Sequence, residues 1–310
     1  MYAVYLRRIR TQGFHGKAYA NTAVMLHVYR TDLVGTDDLY HYLQQRAGGP
    51  EGQRLYSELW SADKWWQLQN TLGLGQGAAI ATVILSSDKT QLSVMCGNKK
   101  AWPVYITLGD IESSVRRRPS EHATVLLGYV PVTDLTGEDA WQFFHDCVEQ
   151  MLRPLKEVGR AGVEMRCADG GVRLVFPLVV AYIADFPEQC LVACTPKSRC
   201  PKCLMPSDDR GEYNRQHPPR DQAKILSAMN LKGRERTRTM KTLGIRPPTQ
   251  PFWRDLPFAN ISSALSPDLL HQLHKGVFGE HLTKWFTDAG LLGEKRFDHW
   301  LMGIPRAAGL

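Results

Sequence analysis

Hydrophobic and polar positions follow two rhythms along this chain of 310 residues. From Ala79, AIATVILSSD is a β-branched run with glycines before it and polar residues after it, the pattern of a strand. LSVMC and AWPVYITLGDI follow as two further extended runs. Three strands in quick succession predict an antiparallel meander. The period then lengthens. Between Asp139 and Val158 the residues Phe144, Val148, Met151, Leu152 and Leu155 share one helical face, and Pro154 is expected to kink or end that helix. GVEMRCADGGVRLVF predicts a hairpin turning near Asp169, Gly170 and Gly171. It runs into PLVVAYIAD, which suits a central strand buried on both faces.

The first 60 residues yield no clear element, and GGPEGQ (48–53) reads as a linker or turn. After Asp185 the texture changes. Residues 186–250 hold a CxxC, several prolines and a basic stretch from Lys232 to Arg246. There Lys232, Arg234, Arg236, Arg238, Lys241 and Arg246 are set against Glu235 alone. This segment reads as an insertion outside the sheet. SPDLLHQLHKGVFGEHLTKWF then predicts a helix, with Ser266 as N-cap and Pro267 as its first residue. Leu270, Leu273, Val277, Leu282 and Trp285 form its apolar face. The order strand, strand, strand, helix, strand is that of the ribonuclease H-like core, although many α/β domains share part of it.

Composition narrows the class. Hydrophobic residues at 43% and charged residues at 22% exclude a wholly disordered chain. No apolar run approaches the roughly 20 residues of a membrane helix. The opening MYAVYLRRIRTQG lacks the pattern of a secretory signal. Lys and Arg total 38 against 31 Asp and Glu, a net charge of +7 that is compatible with a polyanionic partner. Seven cysteines, two of them in a CxxC, point to a reducing compartment and a metal site rather than a disulfide scaffold.

The candidate chemistry sits at strand ends. Asp88 ends the first strand and Asp185 ends the long buried one, and sites in α/β sheets form outside strand ends. Two carboxylates there can hold Mg²⁺ through hard oxygens. The alternative is that each is a turn or cap residue. Asp169 and Asp110 are rivals at similar pattern strength. Cys200 and Cys203 in CPKC form half of a tetrahedral zinc site, or else a pair of free thiols. His271 and His274 are one helical turn apart, and Asp268 precedes His271 in a DxxH. Asp268 is equally a first-turn carboxylate favoured by the helix dipole. Trp60, Trp65, Trp66 and Trp102 are able to stack on bases but more often serve as core. Arg116, Arg117 and Arg118, with the stretch from Lys232 to Arg246, are able to meet phosphates or simply form a solvated face.

Eight strings in order carry a closer likeness. They are GQRLYSELWSADKWW (52–66), SSDKTQLS (86–93), KKAWPVYITLGDI (99–111), EHATVLLGYVPV (121–132), GVEMRCADG (162–170), ADFPEQCLVAC (184–194), CPKC (200–203) and SPDLLHQLHKGVFGEHLTKW (266–285). Together they resemble the Plavaka transposases of fungal mobile elements, a CACTA-like group, from about Pro50 onward. The resemblance implies an α/β, ribonuclease H-like mixed sheet flanked by helices, with a zinc-binding insertion after the second catalytic strand. It implies an N-terminal segment at 1–50 outside the match, a core over 51–185, a CxxC-bearing basic insertion over 186–265, and a helical segment with the DxxH over 266–310.

The implied chemistry is that of a DDE enzyme, which cuts at the ends of its element and joins the freed 3′-hydroxyls to target DNA. Asp88 matches the first acid and Asp185 the second, as ligands of Mg²⁺ or Mn²⁺. Cys200, Cys203, His271, Asp268 and, less generally, His274 are the implied zinc ligands. The implied partner is DNA, both transposon ends and target, handled by a homo-oligomer in the nucleus. DNA contacts fall on Arg116, Arg117, Arg118, Lys232, Arg234, Arg236 and Arg238. The third acid of such enzymes is a Glu beyond the DxxH helix, and Glu280, Glu294 and Asp298 do not stand in that context. The expectation is therefore a C-terminally truncated copy with weak or no strand transfer. The rival expectation is a catalytically inactive, zinc-stabilised DNA-binding or interaction protein. A third is a relic that does not fold stably.

Overall fold

The computed structural model describes residues 2–10, 22–30, 56, 58–72, 78–92, 100–166, 171–209, 212, 216–246, 250–288 and 294–303. The chain forms two compact units, Met1–Ser266 and Pro267–Leu310, taken here one at a time.

The first unit opens with β1 (Tyr2–Arg10) and β2 (Thr22–Arg30), an antiparallel pair in register from Tyr2↔Arg30 to Arg10↔Thr22. Helix α1 (Asp63–Leu72) leads into the main sheet. That sheet is built on β3 (Ala78–Ser87). A small ladder, β4 (Thr90–Gln91) with β5 (Lys100–Ala101), connects β3 to β6 (Pro103–Leu108). β7 (Thr124–Tyr129) completes the antiparallel meander β3–β6–β7. The extended reading at LSVMC falls mostly outside the described residues.

Helix α2 (Gly137–Ala161) follows, then β8 (Val163–Arg166) and β9 (Val172–Ala184). β8 pairs antiparallel with β9 as a hairpin, and β9 runs parallel to β3 along the sheet centre. The predicted turn at Asp169 lies outside the described residues. The main order is β10–β9–β3–β6–β7, where β10 (Leu265–Pro267) is a three-residue strand. This is a mixed sheet within an α/β fold.

Apolar packing covers both faces. Ala81, Val83 and Leu85 of β3 face the larger cluster, where α2 brings Phe144, Val148, Leu152 and Leu155. Ile80 faces the other way, onto Leu178, Val180 and Leu68 of α1. Pro154 does not end α2: the helix continues to Ala161. The N–H that proline lacks is one helical bond, and the buried apolar face on either side of it offsets that loss. The terminator is Gly162, at φ 72°, whose N–H bonds the Val158 carbonyl at 2.9 Å.

β9 carries a one-residue irregularity. Val83 stands opposite Val179, but Ile84 stands opposite Ala181, so Val180 is the extra residue. Beyond β9, α3 (Phe186–Val192) begins at once, and the basic segment proves to be helical. It contains α4 (Gln222–Asn230) and α5 (Gly233–Leu243).

The second unit is helical. The predicted N-cap at Ser266 is not the one observed. Ser266 and Pro267 lie in β10, and Asp268 caps the helix, accepting the Leu270 N–H at 2.7 Å. An Asp carboxylate reaches the first free amides without help, whereas Ser266 stands too far upstream. Helix α6 (Leu269–Thr283) is wound in wide π turns, continues as α7 (Lys284–Asp288), and is followed by α8 (Glu294–Met302). No helix among the described residues is long and apolar enough to cross a membrane.

Candidate active site

The two parallel strands at the sheet centre end side by side. The last paired residues are Ser86 and Ile183. Two residues beyond each stand Asp88 and Asp185, so the same register carried forward sets the two acids level with one another. The extra residue Val180 makes this so; without its offset, Asp88 would face Ala184. Adjacent parallel strands lie about 4.8 Å apart, which places both acids at one edge of the sheet.

Each acid is held by its own surroundings. Asp88 is exposed and accepts the Thr90 hydroxyl at 2.9 Å. Asp185 is half-buried and caps α3, its Oδ1 accepting the Glu188 N–H at 2.8 Å. Pro187 in the first turn suits that start, where the amide it lacks would be unbonded anyway.

A third carboxylate, unforeseen from the sequence, stands behind them. Glu188 is 6% exposed. Its Oε1 accepts the Ser87 hydroxyl, and the Trp102 indole N–H lies 3.1 and 3.2 Å from its two oxygens. Ser87 in turn shares a 2.6 Å hydrogen bond with the Tyr182 hydroxyl. Burial pushes the Glu188 carboxyl up to about 7, with the charges of Asp185 and Asp88 adding to the shift and the Ser87 and Trp102 bonds opposing it. One local signal was available: a Glu three residues after an Asp N-cap, the spacing of a capping box. Here its side chain turns away to Ser87 instead.

The other candidates fall into place around this centre. Asp110 is spent inside the fold, its Oδ2 accepting both the N–H and the hydroxyl of Thr82 at 2.6 and 2.7 Å. Burial pushes it up to about 6. Trp65 bonds to Asp110, and Trp102 stacks on Phe144 at 4.9 Å between ring centres. Lys89 sits with its Nζ 4.9 Å over the Trp102 ring, beside Asp88.

Cys200 and Cys203 share one tight turn. The Lys202 N–H points at the Cys200 sulfur at 3.4 Å. Burial alone would raise the Cys200 thiol. The Lys202 and Cys203 N–H groups, the Cys203 side chain and the Arg220 charge together outweigh burial and lower it. The Cys203 thiol is raised, by burial and by the neighbouring Cys200. Arg220 anchors the turn, bonding the Cys200 and Leu243 carbonyls at 2.7 Å each.

Of the arginine run, Arg116 bonds the Ile111 carbonyl at 2.9 Å and pairs with Glu58 at 3.5 Å, and Arg118 pairs with Glu121 at 3.7 Å. Arg117 is exposed. On α5, Arg234, Arg238 and Lys241 are exposed at a spacing of i, i+4, i+7, with Lys232 just before the helix and Arg236 half-buried. In the second unit Asp268 bonds the His271 Nδ1, and His274 is exposed. Among the described residues, no group of three His, Cys, Asp or Glu side chains is drawn together as a ready metal cage.

The Plavaka transposase family matches residues 37–286. The chain belongs to the Plavaka transposase family. The match begins somewhat before Pro50 and takes in both strand-end acids of this transposase-derived chain, the CPKC turn and the DxxH. No curated protein matches the chain.

Proposed function

We propose that this Plavaka chain carries the acidic centre of a DDE-type DNA transposase, with Asp88 and Asp185 as its divalent-cation pair. One observation carries the reading: each aspartate stands two residues beyond the last paired residues, Ser86 and Ile183, of two adjacent parallel strands. Sheet order supports it. A meander of β3, β6 and β7, a long helix α2, and then β9 parallel to β3 is the arrangement expected of a ribonuclease H-like core.

The donor set fits a hard cation, since both side chains offer carboxylate oxygens and no sulfur or imidazole intervenes. Bound there, Mg²⁺ or Mn²⁺ would supply activation of a water or 3′-hydroxyl and stabilisation of the leaving oxygen. The protein's own part is placement. Asp185 is held by the α3 amide of Glu188, Asp88 by Thr90, and Lys89 brings a positive charge to the edge where a phosphate would approach. DNA is then the substrate, and the nucleus the place of work.

Manganese titration, followed by the electron paramagnetic signal of the free ion, tests the pair. Asp88→Asn and Asp185→Asn should each weaken binding about tenfold or more. Wild-type affinity in either variant overturns the reading.

A second reading draws on the basic segment: a zinc-braced DNA-binding surface. It is favoured by the exposed row Arg234, Arg238 and Lys241 on α5, tied to the CPKC turn through Arg220. The paired sulfurs, with amides directed at Cys200, suit Zn²⁺. DNA binding that persists in Asp88→Asn would separate this role from catalysis.

A further inference from the structure

Glu188 bonds one acid of the pair and the residue before the other without belonging to the pair. Its N–H holds Asp185 from one side. Its carboxylate grips Ser87, the residue before Asp88, from the other. The Trp102 N–H, at 3.1 and 3.2 Å, fixes the same carboxylate against the start of β6. Tyr182 of β9 closes the loop by bonding Ser87 at 2.6 Å. Both groups that bond the carboxylate, the Ser87 hydroxyl and the Trp102 N–H, donate to it. Burying a carboxylate costs several kcal/mol, and an apolar side chain would fill the same space without that cost. Cohesion of the core therefore does not account for a glutamate here.

We infer that Glu188 is a positioning residue of the acidic centre: by bracing Ser87 and Trp102 while its amide holds Asp185, it fixes the spacing and orientation of the Asp88–Asp185 pair. This rests on the cation-binding reading of that pair. It differs from the third acid expected beyond the DxxH helix. Its work is done through the neighbours of the two aspartates, within three residues of the second one.

The same manganese titration tests it, with four variants chosen to separate its failure from that of the pair. Glu188→Ala and Ser87→Ala should each weaken Mn²⁺ binding by about tenfold or more, the usual cost of removing a group that orients a metal ligand. Glu188→Gln keeps an oxygen for the Ser87 hydroxyl and should restore affinity to within about threefold of the wild type. Wild-type affinity in Glu188→Ala overturns the inference and leaves the pair standing. Equal losses in Glu188→Gln and Glu188→Ala also overturn it, because charge rather than bracing would then be at work. Wild-type affinity in Asp185→Asn overturns both readings. Circular dichroism checks the fold of each variant; should Glu188→Ala not fold, wild-type affinity in Ser87→Ala overturns the inference.

Discussion

His145 accepts the Phe252 N–H on its Nδ1 at 3.3 Å, pinning the middle of α2 to the chain that runs past it. Its Nε2 then carries the proton, lying 3.1 Å from the Leu191 carbonyl and 3.5 Å from the Cys194 sulfur. Burial drives this imidazole down to about 4. A folded value below the unfolded one means that neutral His145 contributes stability above about pH 6.5, and that this is lost as pH falls toward 4. The amount is about 3 kcal/mol. Asp110 and Glu188 shift the opposite way, so the effect is read as a difference. The stability gap between wild type and His145→Gln in urea should shrink by about that amount from pH 7 to pH 4. A gap constant across this range would show that His145 is not held neutral.

Gly162 ends α2 in a backbone conformation that side chains avoid, φ 72° and ψ 166°. A Cβ there would lie 2.7 Å from the Leu174 Cγ. Gly162→Ala should lower stability by about 1–3 kcal/mol, seen as a lower urea midpoint with an unchanged slope. An unchanged midpoint would mean that the helix end and β9 move apart at little cost.

The α5 face makes a quantitative claim about DNA. If Arg234, Arg238 and Lys241 each neutralise one phosphate, replacing all three by alanine should reduce the slope of log affinity against log salt by roughly 3. Duplex binding measured between low and physiological salt decides it. An unchanged slope would place the contacts elsewhere.

Zinc has its own readout. Native mass spectrometry should show one Zn²⁺ per chain, lost in Cys200→Ser. Folded wild-type protein free of zinc would leave the CPKC turn as a hydrogen-bonded loop held by Arg220.

Much of the first unit was legible because its strands announce themselves. AIATVILSS, PVYITL and VRLVFPLVVAYIA are β-branched or apolar runs, and α2 repeats its buried residues at helical spacing. Asp88 and Asp185 were legible as strand-end acids, but their common level was not. It depends on Val180, and an added residue inside an unbroken apolar run leaves no mark in composition. Helix α5 was hidden because its residues are almost all polar, so no apolar stripe revealed it. β1 and β2 gave no clear signal although they pair over nine residues each. Glu188 was hidden by its own chemistry, since a buried glutamate with two hydrogen-bond partners far away in sequence looks like any first-turn acid.

Val180 has one more effect, on how β9 is addressed. Before it, odd-numbered Val175 and Val179 face the larger cluster, while Val172 and Leu174 are exposed at 63% and 37%. After it, even-numbered Tyr182 and Ala184 face that cluster, while Ile183 is 36% exposed. The strand is two half-strands in opposite phase, joined by a single slipped count. A map of tolerated substitutions along it would show its alternation reverse sign at Val180, and Asp185 owes its side of the sheet to that reversal.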